Sequence, residues 1–511
     1  DSSSSRNSQR EPVAPAAART MMSHQLPILI PLLLLIGAMV VPLAGRNKPA
    51  IAHRLTVAVC AGCFALAVAL AATVLQSGPI RYALGGWPPP IGIEFVVDLL
   101  SVFFLLIITG LSLLVIAGSA PAVARDIPGR TAPFFAITLT LLLGLSGIVI
   151  TGDLFNLYVF LEIASLSAYA LVSSGDERSG VAAFRYLILG TLGASFYLLG
   201  LGFLYTVTGT LNMADMMTRL DPAAAPVQIA AVMITVGIGL KMAIFPMHQW
   251  LPDAYTYASS TATALIAPIM TKVSAYVLIR IFFFVFGTSM VSGSLPITQT
   301  IMWLSVAGIV AGSIMAIAQS DLKRMLAYSS VAQVGYIGVG IGLATPMALV
   351  GALLHVLNHA AMKCCLFLVV GAVERQTGDR HLSALTGIGR QMPWTFAAFT
   401  AAAVAMVGLP PTGGFFSKWY LVLGGMAAGQ WLVVTFLLAS SLLTATYFFR
   451  LLERIYAHPT PDLASLEDPP LALRLPILLL GLAIVFFGLA NMRILDLFLR
   501  DALPPGMVIP G

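Results

Sequence analysis

Apolar residues form long, nearly continuous runs along most of the chain, and short polar stretches separate these runs. A run of about 18 or more apolar residues can cross the roughly 30 Å hydrocarbon core of a membrane as a helix. The runs lack the alternation of apolar and polar residues that transmembrane β-strands show. The pattern predicts an all-α polytopic membrane protein with about fourteen transmembrane helices, at residues 26–44, 55–76, 91–119, 131–150, 152–174, 183–208, 227–249, 259–286, 297–319, 325–343, 346–373, 393–423, 430–452 and 472–495.

The composition agrees with this pattern and excludes several other classes of protein. Hydrophobic residues make up 59% of the chain and charged residues 9%, and the mean hydropathy is +0.94, far from the balance of a soluble domain. The four cysteines all lie in apolar runs, so a disulfide framework is not expected. The net charge of +6 comes without a basic, aromatic-rich surface, so nucleic-acid binding is not expected.

The distribution of lysine and arginine between alternate loops predicts the orientation in the membrane. Fifteen basic residues fall on one side of the predicted layout and seven on the other, five lie within spans, and these sum to the 27 in the chain. Because basic loops stay in the cytoplasm, this split places both termini on the non-cytoplasmic side. Residues 1–24 are mostly polar or rich in proline and alanine, and we expect them to form a disordered tail.

Two predicted spans contain helix-breaking residues at matching places. The seventh contains "KMAIFPMHQWLPDAY", with Pro246 and Pro252, and the twelfth contains "GLPPTGGFFSKWY", with Pro410 and Pro411. Such breaks predict that helices 7 and 12 are discontinuous. Since the breaks are five spans apart, they predict two inverted five-helix repeats, spans 4–8 and 9–13. The predicted organisation is a tail (1–24), N-terminal helices 1–3 (25–130), the first repeat (131–286), the second repeat (297–456), and helix 14 with a short tail (470–511).

Several titratable residues lie inside the predicted spans. A lysine at the bilayer centre costs about 2.5–3.5 kcal/mol, so such residues normally face the protein interior and mark a pathway. Glu162 is the acid well inside a span, and Lys241, in the middle of the seventh span, is its expected partner. This pair is either a proton switch or a static buried ion pair that fixes helix packing. The sequence leaves both interpretations open.

The stretch "HVLNHAAMKCCLF" places His355, His359 and Lys363 at four-residue intervals, on one helical face over about 12 Å. Lys272 precedes Arg280 by eight residues, so these two also share a face, and Lys418 follows the second break. A file of such groups suits proton transfer through a low-dielectric interior. A hydrogen-bonded polar core is the structural alternative. No metal is expected, because the His-x-x-x-His spacing lacks a glutamate and a third ligand.

Arg280 and polar residues near the breaks and span ends are auxiliary candidates. His248 lies within the seventh-span break, and Asp253 follows Pro252, where we expect its carboxylate to bind freed backbone donors. Asp153 is expected to begin a helix. Glu94 and Asp98 open the third span, and the alternatives there are an entry funnel and a solvated helix end, of which we expect the helix end.

The combination of "GDLFNLYVFLEI", "FPMHQWLPDAY", "LAYSSVAQVGYI", "HVLNHAAMKCCLF" and "GLPPTGGFFSKWYL" resembles the antiporter-like membrane subunits of Mrp-type cation/proton antiporters, respiratory complex I and membrane-bound hydrogenases. The "DLFNLYVFLEI" stretch looks most like the D-type subunit of the Mrp antiporters. The resemblance covers roughly residues 95–454. It implies a proton pathway through a glutamate–lysine pair, a following lysine, a histidine and lysine group, and a terminal lysine. The matching positions here are Glu162, Lys241, Lys272, His355, His359, Lys363 and Lys418.

The resemblance leads us to expect a proton-translocating subunit of a multisubunit Na⁺/H⁺ antiporter in a prokaryotic inner membrane, assembled with other membrane subunits. The alternative is a proton-pumping subunit of a complex I-like or hydrogenase-like oxidoreductase. An energy-coupled uptake complex and a structural scaffold also stay open. No cofactor and no catalytic residue are expected in this chain, since no redox ligand set is visible in the sequence.

Overall fold

A computed structural model describes residues 14–46, 48–457 and 466–509, with side chains from residue 25 onward except at residue 294. Within this part the fold is almost entirely helical. The first half contains α1 Ala14–Ala44, α2 Pro49–Ser77, β1 Ile80–Ala83, β2 Glu94–Val97, α3 Leu99–Gly118, α4 Ala120–Asp126, α5 Thr131–Ile150, α6 Leu154–Val172, α7 Ser179–Thr208, α8 Met213–Arg219, α9 Ala225–Met242, α10 Trp250–Tyr257 and α11 Ser260–Ile281. The second half contains α12 Ile297–Ile317, α13 Leu322–Leu343, α14 Pro346–Thr377, α15 Pro393–Val407, α16 Gly413–Ala427, α17 Trp431–Tyr456, α18 Leu471–Leu489 and α19 Asn491–Ile494.

The membrane spans follow the predicted pattern. In the described part of the chain, thirteen helices are long and apolar enough to cross a membrane. The predicted twelfth span is divided between α15 and α16, of 15 residues each. The all-α polytopic fold is therefore confirmed. The predicted disordered tail falls on residues 1–13, which lie outside the described residues, and on residues 14–24, which form the first turns of α1.

The start of the predicted third span is different in the structure. Residues 94–97 form β2, which pairs antiparallel with β1 in the register Ile80↔Val97 to Ala83↔Glu94, and the helix begins only at Leu99. The prediction of a span over 91–119 was therefore eight residues too long at its start. The cause is that a short apolar run such as "IEFVV" has the same hydropathy in a strand as in a helix.

Two five-helix units have the same order of elements. The first consists of α5, α6, α7, the broken pair α9–α10 and α11, and the second of α12, α13, α14, the broken pair α15–α16 and α17. In both units an aspartate caps the second helix: Asp153 accepts from the Asn156 amide at 2.7 Å and Asp321 from the Arg324 amide at 2.9 Å.

The same aspartates also join the second helix of each unit to the end of its third. Asp153 forms an antiparallel bridge with Asn212, and Asp321 forms one with His381. An odd number of spans turns the second unit upside down relative to the first, as expected for an inverted repeat. The domain limits drawn from the sequence stay a prediction.

One face of the bundle collects many arginines, and we call it the arginine-rich face. Arg125 donates to the backbone carbonyl of Arg375 at 3.2 Å, and Arg380 binds Asp321 at 2.6 Å. Asp253 binds both Arg185, at 2.8 Å, and Arg324, at 3.3 Å. The Asp253–Arg324 contact connects the first unit to the second, because α10 belongs to the first and α13 to the second.

Candidate functional site

The seventh-span break leaves a polar gap between two half-helices. Helix α9 ends at Met242, and Ala243 adopts a left-handed conformation with φ 63°. The Trp250 indole N–H, at the start of α10, donates to the Leu240 carbonyl at 2.9 Å. This bond gives a donor to a carbonyl in the last turn of α9, where the regular hydrogen bonds of the helix end. Lys241 therefore lies in the last turn of α9, where the negative end of the helix dipole stabilises a cation.

Lys241 is buried and has one carboxylate partner. Its Nζ lies 3.5 Å from Glu162 Oε1, and it donates to Ser165 Oγ at 2.7 Å and to the Tyr169 hydroxyl at 3.3 Å. The Glu162 side chain is 24% exposed, whereas that of Lys241 is 4% exposed. The predicted pair thus forms, with its ammonium hydrogen-bonded to hydroxyls on the helix that carries the carboxylate. Such an arrangement holds a proton near a carboxylate that is also open to its surroundings.

Lys272 and Arg280 share a face of α11 but have different partners. The Lys272 ammonium is buried and donates to the Ala267 carbonyl at 2.7 Å. Arg280 binds Asp98 through two hydrogen bonds of 2.7 and 2.8 Å. Arg280 is therefore fixed at the end of the span, and the described contacts include none that joins Lys241 directly to Lys272.

Asp98 and Glu94 are bound to protein rather than solvated. Although burial alone would raise the pKa of the Asp98 carboxyl, Arg280 and the Ser101 amide lower it below its ordinary value. Glu94 is buried in β2 and accepts from Arg81 at 3.1 Å and from Asn212 at 2.7 Å. The expectation of a solvated helix end at these two residues was wrong. The other expected helix start, at Asp153, is confirmed by its capping bond.

The predicted ladder on α14 is fully buried and connects two other helices. His355 contacts Ser417 through Nδ1 and Gln333 through Nε2, both at 3.0 Å. Its ring lies 5.9 Å from that of His359, at an interplanar angle of 20°. Among the described residues, neither ring nitrogen of His359 has a hydrogen-bond partner. Since buried polar groups are nearly always paired with protein or water, this position calls for water.

Lys363 completes the ladder, and two other lysines lie near it. The Lys363 ammonium donates to the Leu326 carbonyl at 2.6 Å and to the Ser329 hydroxyl, both on α13. Lys272, Lys363 and Lys418 all lie within electrostatic reach of His359. The structure therefore brings Lys272 from the first unit together with the ladder and Lys418 from the second.

Lys418 lies just after the second break and reaches back across it. Its ammonium donates to the carbonyls of Met406 and Val407, both at 3.0 Å, and to Ser441 Oγ at 3.3 Å. It also lies 4.6 Å from the centre of the Tyr336 ring, which favours a cation. The two carbonyls belong to the last turn of α15, so the lysine caps that helix.

The auxiliary candidates contribute elsewhere. His248 lies in the first break, with its ring 5.3 Å from that of Phe245. Asp253 lies in α10 rather than in a loop, and its carboxylate binds arginines instead of the freed backbone donors expected from the sequence. Neither side chain has a described hydrogen bond to the ladder residues.

The sequence interpretation missed one buried cation and the hydroxyl partners. Lys323 was counted among loop residues, but it lies in α13 and is 2% exposed. Ser165 and Tyr169 follow Glu162 by three and seven residues, a spacing that puts all three on one helical face and could have identified them. Ser329, Ser417 and Gln333 come from other helices, and no local signal marks them.

The chain matches known proteins over most of its length. The model of the family described as "NADH:quinone oxidoreductase/Mrp antiporter, TM" matches residues 151–444. The chain is 49% identical to the N-type subunit of NADH-quinone oxidoreductase from Desulforudis audaxviator, over 94% of this chain and 99% of that protein. It is 30% identical to the D-type subunit of the Na⁺/H⁺ antiporter from Alkalihalophilus pseudofirmus, over 82% of this chain and 84% of that protein.

A solved structure shares the fold. A chain of the membrane-bound sulfane sulfur reductase, an archaeal respiratory membrane complex, superposes with a TM-score of 0.86 at 30% identity. The match covers 93% of this chain and 96% of that chain.

Proposed function

Because the chain belongs to the NADH:quinone oxidoreductase/Mrp antiporter family, we propose that it is a proton-pumping subunit of a respiratory oxidoreductase complex in a prokaryotic inner membrane. The electron-transfer cofactors reside in partner subunits. In this chain, protons move along the buried file Glu162, Lys241, Lys272, Lys363, His359, His355 and Lys418. The multi-pass membrane character of the chain and the subunit nature of its relatives support this assignment.

The observation that carries the proposal is the cluster of buried cationic groups around His359. Three lysines lie within electrostatic reach of one imidazole that lacks a protein partner among the described residues. Burying several ionisable groups in one part of the bundle is costly for stability alone, and intramembrane ionisable residues mark proton relays. Amines and imidazoles can each take up and release a proton, so the cluster can pass protons between neighbouring groups.

The oxidoreductase assignment is favoured over the Na⁺/H⁺ antiporter by the degree of likeness. Identity is 49% over nearly all of the N-type subunit from D. audaxviator and 30% over 84% of the D-type subunit from A. pseudofirmus. The antiporter stays the second candidate because the D-type subunit still matches over most of its length. The two are separated by purifying the intact complex, identifying its partners, and measuring ²²Na⁺ flux alongside proton flux. Proton transport coupled to electron transfer, without ²²Na⁺ flux, supports the first candidate.

Lys241→Ala in the intact complex tests whether the file carries protons. We expect assembly to persist and the proton-transport rate in proteoliposomes to fall by about 100-fold, the usual contribution of a positioned proton-transfer group. The matched control is Lys48→Ala, since Lys48 is exposed in a loop. Wild-type proton transport in an assembled Lys241→Ala complex would show that the buried charges serve only packing.

A further inference from the structure

A polar cavity of about 220 Å³ opens at the arginine-rich face, separate from the residues of the proposed file. It lies between α4, the α6–α7 loop, the α10–α11 joint, α13 and α14. Seven of its fifteen lining residues are charged: Arg125, Asp126, Asp176, Lys323, Glu374, Arg375 and Arg380. The cavity is therefore a place where water and charge reach into the bundle between the two repeats.

Lys323 lies in the wall of this cavity in an environment that disfavours its charge. It is 2% exposed, and its ammonium donates to the Ala258 carbonyl at the α10–α11 joint. Among the described residues, no carboxylate lies within 4 Å of its nitrogen. It is also the second residue of α13, where the positive end of the helix dipole disfavours a cation. Helix stability does not explain a lysine at this position.

Helix α13 connects Lys323 to the ladder on α14. Successive members of the series Lys323, Leu326 and Ser329 are three residues apart, so each lies beside the next on the surface of α13, over about 9 Å of helix. Lys363 donates to the Leu326 carbonyl and the Ser329 hydroxyl. Further along the same helix, Gln333 contacts His355. One helix therefore contacts the cavity at its start and the ladder over its next three turns.

Helix α14 makes the same connection from the other side. Glu374 follows Lys363 by eleven residues, which is three helical turns and returns it to the same face. Its Oε2 accepts from Ser260 Oγ at 2.7 Å, in the wall of the cavity. The pKa of the nearby Asp126 carboxyl is raised above its ordinary value, mainly by burial and secondly by the negative charge of Glu374. The cavity thus contains carboxyl groups that can exchange protons with its water.

We propose that this cavity is a proton-loading chamber for the second repeat, and that Lys323 transfers protons from it to Lys363. This inference rests on the proposed function of the chain. An N–H bond of protonated Lys323 breaks, and an N–H bond forms on neutral Lys363 through the Ser329 hydroxyl or water. Lys323 then regains a proton from the chamber, so no electrons move and water is the sole co-reactant. From Lys363 the proton continues to His359 and His355.

Substitution of Lys323 in the intact, reconstituted complex tests the transfer step. Lys323→Met should lower proton transport by at least about tenfold. Lys323→Arg keeps the charge and the donor to Ala258 but cannot release a proton, so it should be as slow as the methionine variant. Lys323→Gln keeps a donor without the charge and should also be slow. Lys48→Met, at an exposed loop residue, is the matched control and should be normal. Near wild-type transport in the arginine or glutamine variant would overturn the proposal.

The pH profile separates transfer from positioning. Lys323→His places a group of lower ordinary pKa, about 6.5 against about 10.4 for lysine, at the same point. If Lys323 titrates during transport, this variant should retain some activity with its half-maximal rate displaced to lower pH. The charged groups that surround the position are Arg125, Asp126, Asp176, Asp321, Glu374, Arg375 and Arg380. An unshifted profile would contradict the transfer role.

Water access to the chamber is measured independently of Lys323. All four native cysteines are buried, so Ser260→Cys in the chamber wall should be the main site labelled by a membrane-impermeant maleimide. Labelling should slow proton transport by at least about tenfold by blocking the chamber. Ser146→Cys, at a buried core position in α5, is the matched control and should stay unlabelled. An unlabelled Ser260→Cys, or a labelled one with unchanged transport, would overturn the chamber.

The outcomes distinguish this inference from the proposed function. Normal transport in Lys323→Met together with a large loss in Lys241→Ala rejects the chamber and keeps the proton-pumping assignment. Normal transport in both variants rejects the proposed function itself. A loss in both supports the two proposals together.

Discussion

The two broken spans each place a lysine at the C-terminal end of a half-helix, but they do so in different ways. In the first repeat Lys241 belongs to α9 itself, and its neighbours are the Glu162 carboxylate and two hydroxyls. In the second repeat Lys418 belongs to α16 and reaches back to the end carbonyls of α15, with a hydroxyl and an aromatic ring as its other neighbours.

The difference suggests that the two lysines have unequal duties. Lys241 has a carboxylate that can accept its proton, and its hydroxyl partners can rotate to suit either charge state. Lys418 provides hydrogen-bond donors for backbone carbonyls that have no other donor from their own helix. We therefore expect Lys241 to serve proton transfer first, whereas Lys418 also holds its span together.

Glu162→Gln should have the largest effect, because it removes the one carboxylate that distinguishes the first site from the second. The amide keeps the shape but cannot take a proton from Lys241. We expect proton transport by the reconstituted complex to fall by about 100-fold. Glu177→Gln, at an exposed loop glutamate, should transport normally. If Glu162→Gln were equally active, the contrast between the two sites would have no functional meaning.

Lys418→Met should have the next largest effect, and the effect should be on stability as well as on transport. Removing the ammonium leaves the Met406 and Val407 carbonyls without their hydrogen-bond donor, which lowers the stability of the fold by about 2 kcal/mol. Lys241→Met should cost less, because Ser165 and Tyr169 can reorient their hydroxyls. The measurement is the thermal midpoint of the purified complex for each variant. Equal midpoints would mean that Lys418 is no more structural than Lys241.

Gly408→Ala should have a smaller effect, and it acts on the second site alone. Gly408 has φ 92°, and an added Cβ would lie 2.9 Å from Lys418 Cδ. The left-handed conformation costs alanine about 1–2 kcal/mol. The close contact between the new Cβ and Lys418 also displaces the lysine side chain. Gly429→Ala is the matched control, since Gly429 has φ 67° and open space around its Cβ position. Proton transport should drop several-fold only in Gly408→Ala, and equal rates would argue against displacement of Lys418.

Acid pH should have the smallest effect, at the ion pair that ends the α11 face in the first repeat. Because Arg280 holds the Asp98 pKa below its ordinary value near 3.8, the pair contributes stability above that pH. This contribution is lost as the pH falls through the lowered folded-state value. The stability difference between wild type and Asp98→Asn should therefore be constant near neutrality and shrink only in strong acid. A difference that already shrinks near pH 6 would contradict this account.

The sequence predicted the spans and their breaks because both signals are local. Apolar runs of fixed length and prolines such as Pro246 and Pro411 act on their own segment of chain. The Glu162–Lys241 pair could also be predicted, since few partners exist for a buried charge. The Asp253 partners could not, because Arg185 and Arg324 come from other helices and compete with the backbone for its carboxylate.

Lys323 shows most clearly what the sequence alone leaves out. The predicted span began at residue 325, and a lysine two residues earlier was assigned to the loop. In the structure α13 begins at Leu322, and the α10–α11 joint and α14 cover the lysine. Burial of this kind depends on how three segments meet, and hydropathy along one segment carries no information about it. The same reason explains why Ser329, Gln333 and Ser417 were not identified.

Counting N–H bonds at each amine shows which lysines can lose a proton without disturbing their surroundings. An ammonium has three N–H bonds and a neutral amine has two. Lys272 has one described acceptor and Lys363 has two, so either amine can satisfy its acceptors in the neutral form. Lys418 has three acceptors, so its neutral form must release one of them. Two of these acceptors lie on α15 and Ser441 lies on α17, so α16 is held more tightly against these two helices when Lys418 is protonated. The stiffness of this packing is therefore a readout of whether the proton is in place.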